Sequence, residues 1–365
     1  MTAATFRYYR GRVALSAILR GLGLGPGDEV IVQAYTCAAV PHALLHLGVR
    51  PVYVDIGRHS FTMDLDRLRH AISTRTRAIV VQHTFGIPAD VSGVLEIARG
   101  VPVVEDCAHV LGSRLEGRPV GSFGTAAIFS YEWGKPVVAG VGGAAVVNDA
   151  ALAERMRIQY GSFTDPPLRR EVVMSGQYLA HRAVSNVGRF WQIRALYRRL
   201  TRLGLMVGSH DADPRANPEY GWRMTRSVRR RLPVREAAAR TGLDRRRHIA
   251  GRYRDGLDRL GFAAPAVPAG ADAVLMRVPV VVTAKRRVLE AAARTGVELG
   301  DWFDTPVHPL SGPELESVGY APRSCPDAEW LAAHVVTLPV RANTRPEDTD
   351  RALDLLARLR ATGDA

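Results

Sequence analysis

Two short apolar runs near the middle of the chain each end in a polar cluster, and this pair limits what the chain can fold into more than any other stretch. The first, VPVV, runs into Glu105-Asp106-Cys107-Ala108-His109. A glycine-punctuated turn, GRPVGSFG, leads to the second, TAAIFS, which runs into Ser130-Tyr131-Glu132-Trp133-Gly134-Lys135 and a glycine-rich tail ending at Gly143. Apolar runs of this length between turn residues read as buried strands. In an open α/β sheet such strand ends face the ligand crevice. One end then offers an Asp with a His three residues on, the other a Ser with a Lys five residues on.

The N-terminal half repeats the alternation that such a sheet requires. Val13, Leu15, Ile18, Leu19 and Leu22 share one helical face, which predicts a helix over 11–25, stopped at Gly25-Pro26-Gly27. Strands are expected at Val30–Val32, Pro51–Val54, Ala78–Gln82 and Val101–Val104, with helices at Ala38–Leu47, Thr62–Ala71 and Val91–Ala98 between them. Strand and helix in turn imply right-handed crossovers and a mostly parallel sheet flanked by helices. After Asp149 the pattern changes. A helix is expected over Ala150–Tyr160, then an arginine-rich helical excursion over 161–222, in which Val187–Met206 reads as an amphipathic helix packed on the core. Val234–Leu260 reads as one long helix with a basic outer face. A smaller α+β unit follows: strand Val274–Val282, helix Lys285–Arg294, a loop over Asp301–Leu310, strand Val335–Leu338 and a last helix from Glu347. The domain boundary is placed near Pro233, dividing a large domain, 1–232, from a small one, 233–365.

The chain carries 365 residues with a formal net charge of +13, nearly all of the excess being arginine. That charge suits a solvated basic surface or an acidic partner such as a phosphate or nucleotide. No helix-turn-helix or zinc signature accompanies it, which argues against a nucleic-acid-binding protein. Cys37, Cys107 and Cys325 are odd in number and widely spaced, against a disulfide framework or a metal site. The segment MTAATFRYYRGR shows no signal peptide, and no apolar run approaches the roughly 20 residues that span a bilayer. The expectation is a soluble, cytoplasmic protein with no membrane partner.

An acid and an amine held at neighbouring strand ends are what a pyridoxal phosphate enzyme needs. The amine carries the cofactor, and the acid pairs with its ring nitrogen so that the ring stays an electron sink. Five segments in order carry a resemblance in this direction: GPGDEVIVQAYTCAAVPHALLHLGVRPVYVDI, STRTRAIVVQHTFGIPADV, VPVVEDCAHVLGS, FSYEWGKPVVAGVGGAAVVND and VVTLPVRANTRPEDTDRAL. Together they resemble the DegT/DnrJ/EryC1/StrS family of pyridoxal phosphate-dependent sugar aminotransferases, over nearly the whole chain. The resemblance implies the fold-type I transferase architecture and a homodimer with active sites at the subunit interface. It also implies transfer of an amino group from glutamate or glutamine to a keto-sugar, often nucleotide-linked, or to a cyclitol, in antibiotic, secondary-metabolite or polysaccharide biosynthesis. Family members that dehydrate sugars tend to replace the lysine, so Lys135 weighs against that branch.

Residue by residue, the resemblance makes Lys135 the Schiff-base lysine, Asp106 the partner of the pyridine nitrogen and His109 a neighbour of the phenolic oxygen. Ser130 becomes a phosphate ligand. Gly11-Arg12-Val13 matches the turn whose amides hold the phosphate at a helix N-terminus, with Arg12 where threonine is usual; an arginine can pair with phosphate directly. Cys37 falls where the family places an aromatic ring on the cofactor, and Tyr35, two residues earlier on the same expected strand face, is the candidate replacement. In EYGWRMT, Gly221 replaces an asparagine that reaches the neighbouring subunit's phosphate, so that contact is not expected. Trp133 and His308 are candidates for the substrate pocket, and Trp222 and Arg223, with the arginines of 161–222, are candidates for the substrate pocket of the partner subunit. Glu105, next to Asp106, should point to the other strand face.

Overall fold

The computed structural model describes residues 3–184, 191, 214–363 and 365. Seven strands form the central sheet: β1 (Ala4–Tyr8), β2 (Glu29–Gln33), β3 (Arg50–Val54), β4 (Thr76–Gln82), β5 (Val103–Asp106), β6 (Ala126–Ser130) and β7 (Gly143–Val147). Their order across the sheet is β1-β7-β6-β5-β4-β2-β3. The pairs from β6 to β3 are all parallel, and β7 runs antiparallel to both β6 and β1. The expected mostly parallel, seven-stranded sheet is therefore present.

Helices α1 (Gly11–Gly21), α2 (Ala39–Leu45), α3 (Leu65–Ala71), α4 (Val91–Ala98) and α5 (Ala150–Tyr160) cover its two faces. Asp64, Asp90 and Asp149 cap three of them, each accepting from a backbone N–H three residues on, at Arg67, Gly93 and Leu152. The strands sort their side chains by alternation. Val30, Val32 and Val80 join Val13, Ile18 and Leu152 on one face, while Ile31, Ile79 and Val81 join Leu68, Val94 and Val103 on the other.

The 161–222 region contributes α6 (Leu168–Val184); Val187–Met206 lies outside the described residues apart from Trp191, whose indole nitrogen donates to Val297 O at 2.8 Å. The single helix expected over Val234–Leu260 is corrected to two. Helix α7 (Arg226–Thr241) starts eight residues earlier and runs straight through Pro233, and α8 (Leu243–Arg259) begins after a break at Gly242. Glycine is required at that position on steric grounds: a Cβ on Gly242 would meet Ala342 Cβ at 2.7 Å. Val228 and Leu232 of α7 pack with Tyr131, Val137 and Ala139, whereas Ile249, Tyr253 and Leu257 of α8 pack with the C-terminal elements. Those elements are β8 (Arg277–Val281), α9 (Lys285–Thr295), α10 (Pro326–His334), β9 (Val335–Pro339) and α11 (Pro346–Ala361), with β8 and β9 antiparallel. No helix among the described residues is long and apolar enough to cross a membrane.

Candidate active site

The carboxyl ends of β4, β5 and β6 open into one cleft, lined among others by Gln82, Asp106, Ser130 and Lys135. Arg12 and Gly11, at the start of α1, close one end; Cys37, His109 and Phe303 line the rest. Helix α1 begins directly from the extended residue Arg10, and no side chain caps its first turn. Gly11 and Arg12, its first residues, line the cleft, a placement in which a helix N-terminus can receive a phosphate. The approach of the neighbouring strand is close enough that a Cβ on Gly143 would sit 2.3 Å from both the Arg10 carbonyl carbon and the Gly11 nitrogen. Only glycine lets β7 pass there.

Lys135 is half-buried, and its Nζ has no hydrogen-bond partner among the described residues; the Trp302 ring lies 5.8 Å away. The chain has only one other lysine, Lys285. That amine is tied down, donating to the carbonyls of Asp301, Phe303 and Ala332 at 3.1, 2.9 and 2.7 Å. Asp106 is buried and accepts from the Ala108 N–H at 2.9 Å. Burial pushes its carboxyl up from the usual aspartate range, against the pull of that N–H and of Lys135. Burial likewise pushes His109 well down, with Lys135 and Arg277 adding to the effect, so its ring is neutral. Its Nδ1 accepts from the Phe85 N–H at 3.2 Å, which leaves the proton on Nε2 as a donor. The ring stacks between Phe85 and Trp302, its centroid 6.2 and 6.3 Å from theirs.

Glu105 points away from the cleft, as alternation requires. Its carboxylate accepts from the N–H groups of Gly121, Phe123 and Gly124 at 2.8, 2.7 and 2.8 Å and from His83 Nε2 at 3.2 Å. Burial opposes its charge, but His83 and these N–H groups hold its pKa below the usual carboxylate range. His83, Glu105 and Cys107 bring three ligand-type atoms within 4.8 Å of one another. His83 Nδ1 already accepts from the Ala89 N–H and Glu105 is saturated with donors, so this cluster serves the fold.

Several expected residues do not line this chain's own cleft. Tyr35 does not line the cleft: its ring packs among Phe61, Phe85 and Phe303. The shared-face argument fails because β2 ends at Gln33 and Tyr35 has φ 61°, which breaks strand alternation. Val13 sits in the core beside the turn. Trp133 packs against His181 and Tyr178, and Trp222 against Tyr9. Arg223 donates to the Tyr160 carbonyl at 3.0 Å and lies over that ring. His308 pairs with Asp304 on a short strand that runs parallel to Thr36–Cys37, next to the cleft without lining it.

Sequence reading missed five contributors. Trp302 and Phe303 reach the site from the C-terminal unit; two adjacent aromatics in DWFDTPVHPL were the available signal. Arg10 is buried and bridges Glu132, on the cleft wall, to Glu219 at 2.7 Å. Burial opposes the charge of Glu132, yet Arg10, Arg12 and Lys135 outweigh it and hold Glu132 ionised below its usual range.

A fold-type I sheet with a lysine, a buried aspartate and a helix N-terminus converging on its strand ends defines a pyridoxal phosphate transferase site, and the donor set fits that cofactor: an unbound amine, a carboxylate at depth, and an anion seat with a hydroxyl and a guanidinium. The model of the DegT/DnrJ/EryC1/StrS aminotransferase family matches residues 9–184 and 237–357, and the chain belongs to that family. It is 30% identical over 353 residues to a UDP-N-acetyl-3-dehydro-alpha-D-glucosamine 3-aminotransferase of Acidithiobacillus ferrooxidans, covering 95% of this chain and 82% of that one. An L-glutamine:scyllo-inosose aminotransferase of Streptomyces griseus is 39% identical over 169 residues, 46% of this chain and 39% of that one. Among solved structures, DesV of S. venezuelae in complex with a ketimine intermediate superimposes with a TM-score of 0.73 at 27% identity, over 98% of this chain and 85% of that one.

Proposed function

We propose that this aminotransferase uses pyridoxal phosphate to move an amino group from glutamate or glutamine to a keto-sugar carried on a nucleotide, or to a cyclitol ketone, in secondary-metabolite or polysaccharide biosynthesis. The observation that carries the reading is the convergence of Lys135, Asp106, Ser130 and the uncapped start of α1 on one cleft. The relatives named above act on a nucleotide sugar and on a cyclitol, which supports that acceptor range.

When bound, the cofactor supplies an aldehyde for amine exchange and a ring that takes up electrons. Lys135 would hold it covalently, then move the proton between donor carbon and cofactor carbon as general base and acid. Asp106 would keep the ring nitrogen protonated, the positive charge beside it favouring its own ionised form. His109 Nε2–H would donate to the phenolic oxygen. Ser130, the first amides of α1 and Arg12 would hold the phosphate. Cys37 lines the cleft where an aromatic is usual and would offer the cofactor no ring to stack on.

We read the enzyme as a cytoplasmic homodimer with a large unit and a smaller C-terminal one, the change of core falling between α7 and α8. Leu168, Val172 and Leu179 support a dimer contact: they lie on one face of α6 at 77, 64 and 64% exposure.

Incubation with glutamate should release 2-oxoglutarate from the cofactor-loaded protein in a single turnover. A mass-spectrometric screen of keto-sugar nucleotides and inososes should then find one aminated product. A protein that binds the cofactor yet releases no oxo acid from either donor would overturn the reading.

A further inference from the structure

Behind Lys135, three arginines grip the backbone that presents it. Arg246 donates to the Pro136 carbonyl at 3.1 Å, Arg235 to Val138 at 3.2 Å and Arg231 to Ala139 at 2.8 Å. None of the three has a carboxylate within ion-pair distance among the described residues. Gathering like charges around four residues of chain is costly. For Arg246 the cost is greatest: it is 9% exposed, its Nε has no hydrogen-bond partner, and burial together with nearby Arg341 pushes its pKa down. A basic patch serving only solubility would face water, as Arg229 and Arg230 of the same α7 do. Arg231 is held further by the Tyr178 ring, 3.7 Å from its guanidinium carbon.

Apolar packing anchors the segment at Val137, Ala139 and Val141, but few backbone hydrogen bonds set its direction. Its inner contacts are the Lys135 N–H to Glu132 O at 3.2 Å and the Ala139 N–H to Tyr131 O at 3.0 Å. Planar, multi-donor guanidinium groups suit carbonyl clamping, since each can fix direction as well as distance. The three arginines also come from two helices with different allegiances. Arg231 and Arg235 lie on α7, packed on the large sheet's cluster, while Arg246 lies on α8, whose Ile249, Tyr253 and Leu257 belong to the C-terminal core.

We propose that Arg231, Arg235 and Arg246 are positioning residues for Lys135, and that Arg246 mechanically joins the C-terminal unit to the catalytic lysine. The proposal rests on reading Lys135 as the cofactor lysine, but its test does not need turnover. Because the chain has two lysines and Lys285 is locked on three carbonyls, lysine acylation by an amine-directed reagent on cofactor-free protein reports on Lys135. Site-resolved mass spectrometry would follow labelling of Lys135 and hydrogen exchange of residues 134–141.

In Arg246→Met, and in the half-exposed pair Arg231→Gln with Arg235→Gln, exchange of that segment should rise tenfold or more and the labelling rate of Lys135 should change severalfold. Exchange of Val103–Asp106 in the neighbouring strand should stay as in the wild type. Arg246→Lys should restore part of the protection, since an ammonium can still donate to the Pro136 carbonyl but lacks the planar fork, and Arg229→Gln, on the exposed face of α7, should change nothing. Wild-type exchange and labelling in the folded clamp variants would overturn the proposal, as would a rise spread evenly over the sheet. Loss of oxo-acid release by the wild type would sink the aminotransferase reading alone.

Discussion

Glu105 and Asp106 are adjacent carboxylates at the end of β5, both buried, and they are built for opposite purposes. Glu105 faces the back of the sheet with four donors on its two oxygens, which leaves it nothing to bind. Asp106 faces the cleft with a single backbone donor and is pushed toward its neutral form. A satisfied buried charge organises a fold, whereas an under-satisfied one is held ready for a partner. The alternation of a single strand is enough to separate the two roles.

The largest expected effect lies on the cleft side. Lys135→Ala should lower turnover by at least about 10³-fold and remove the cofactor's borohydride-reducible attachment, with thermal stability of the cofactor-free protein unchanged. A variant that keeps a covalently trapped cofactor would place the chemistry elsewhere.

The neighbours themselves should split stability from turnover. Glu105→Gln puts an amide among four donors and should cost roughly 3 kcal/mol of folding stability, the scale for breaking a buried charged network, measurable by urea unfolding. Asp106→Asn should not lower the stability of the cofactor-free protein at neutral pH but should lose about 3 kcal/mol of transition-state stabilisation, as for one preorganised electrostatic contact. Equal losses of stability in both variants would erase the contrast.

The two should also depend on pH with opposite sign. Glu105 has a folded pKa below its unfolded value of about 4.3, so its contribution is present above that pH and is lost as pH falls through the folded value. Asp106 has a folded pKa above its unfolded value of about 3.9, so its contribution is present at acid pH and is lost as pH rises through the folded value. Urea titrations of the two cofactor-free variants against wild type, from pH 3 to 7, should therefore diverge in opposite directions; parallel curves would refute the assignment.

The smallest effect concerns the phosphate end. Arg12→Ala should weaken cofactor affinity by roughly 1.5–3 kcal/mol and Arg12→Lys should recover part of it, because a point charge lacks the bidentate fork. Unchanged affinity would leave the α1 amides as the whole seat.

What could be read from sequence follows from distance along the chain. Lys135, Asp106, His109 and Ser130 close two apolar runs, so strand-end logic reached them directly. Arg12 sits on a glycine turn opening a periodic helix. Trp302, Phe303, Arg10 and Glu219 are brought to the site only by tertiary folding, from positions nearly three hundred residues apart in the case of Arg10 and Phe303, and no local pattern marks such pairs. Tyr35 was misplaced because a left-handed residue beyond β2 cannot be seen in a period-two reading. The need for glycine at 242 has no local sign, since what forbids a side chain there is Ala342, a hundred residues on.

Gly143 carries one more consequence. Where β7 crosses the start of α1, backbone lies against backbone with no room for a methyl group. The spacing of the anion seat is thus gauged by an atom that is missing. Adding that single carbon, as Gly143→Ala, would act like a shim driven between strand and helix, tilting the seat while every ligand in it kept its identity. In a library of variants this position should behave as a hard stop, tolerating nothing, though no inventory of polar groups would mark it as part of the site.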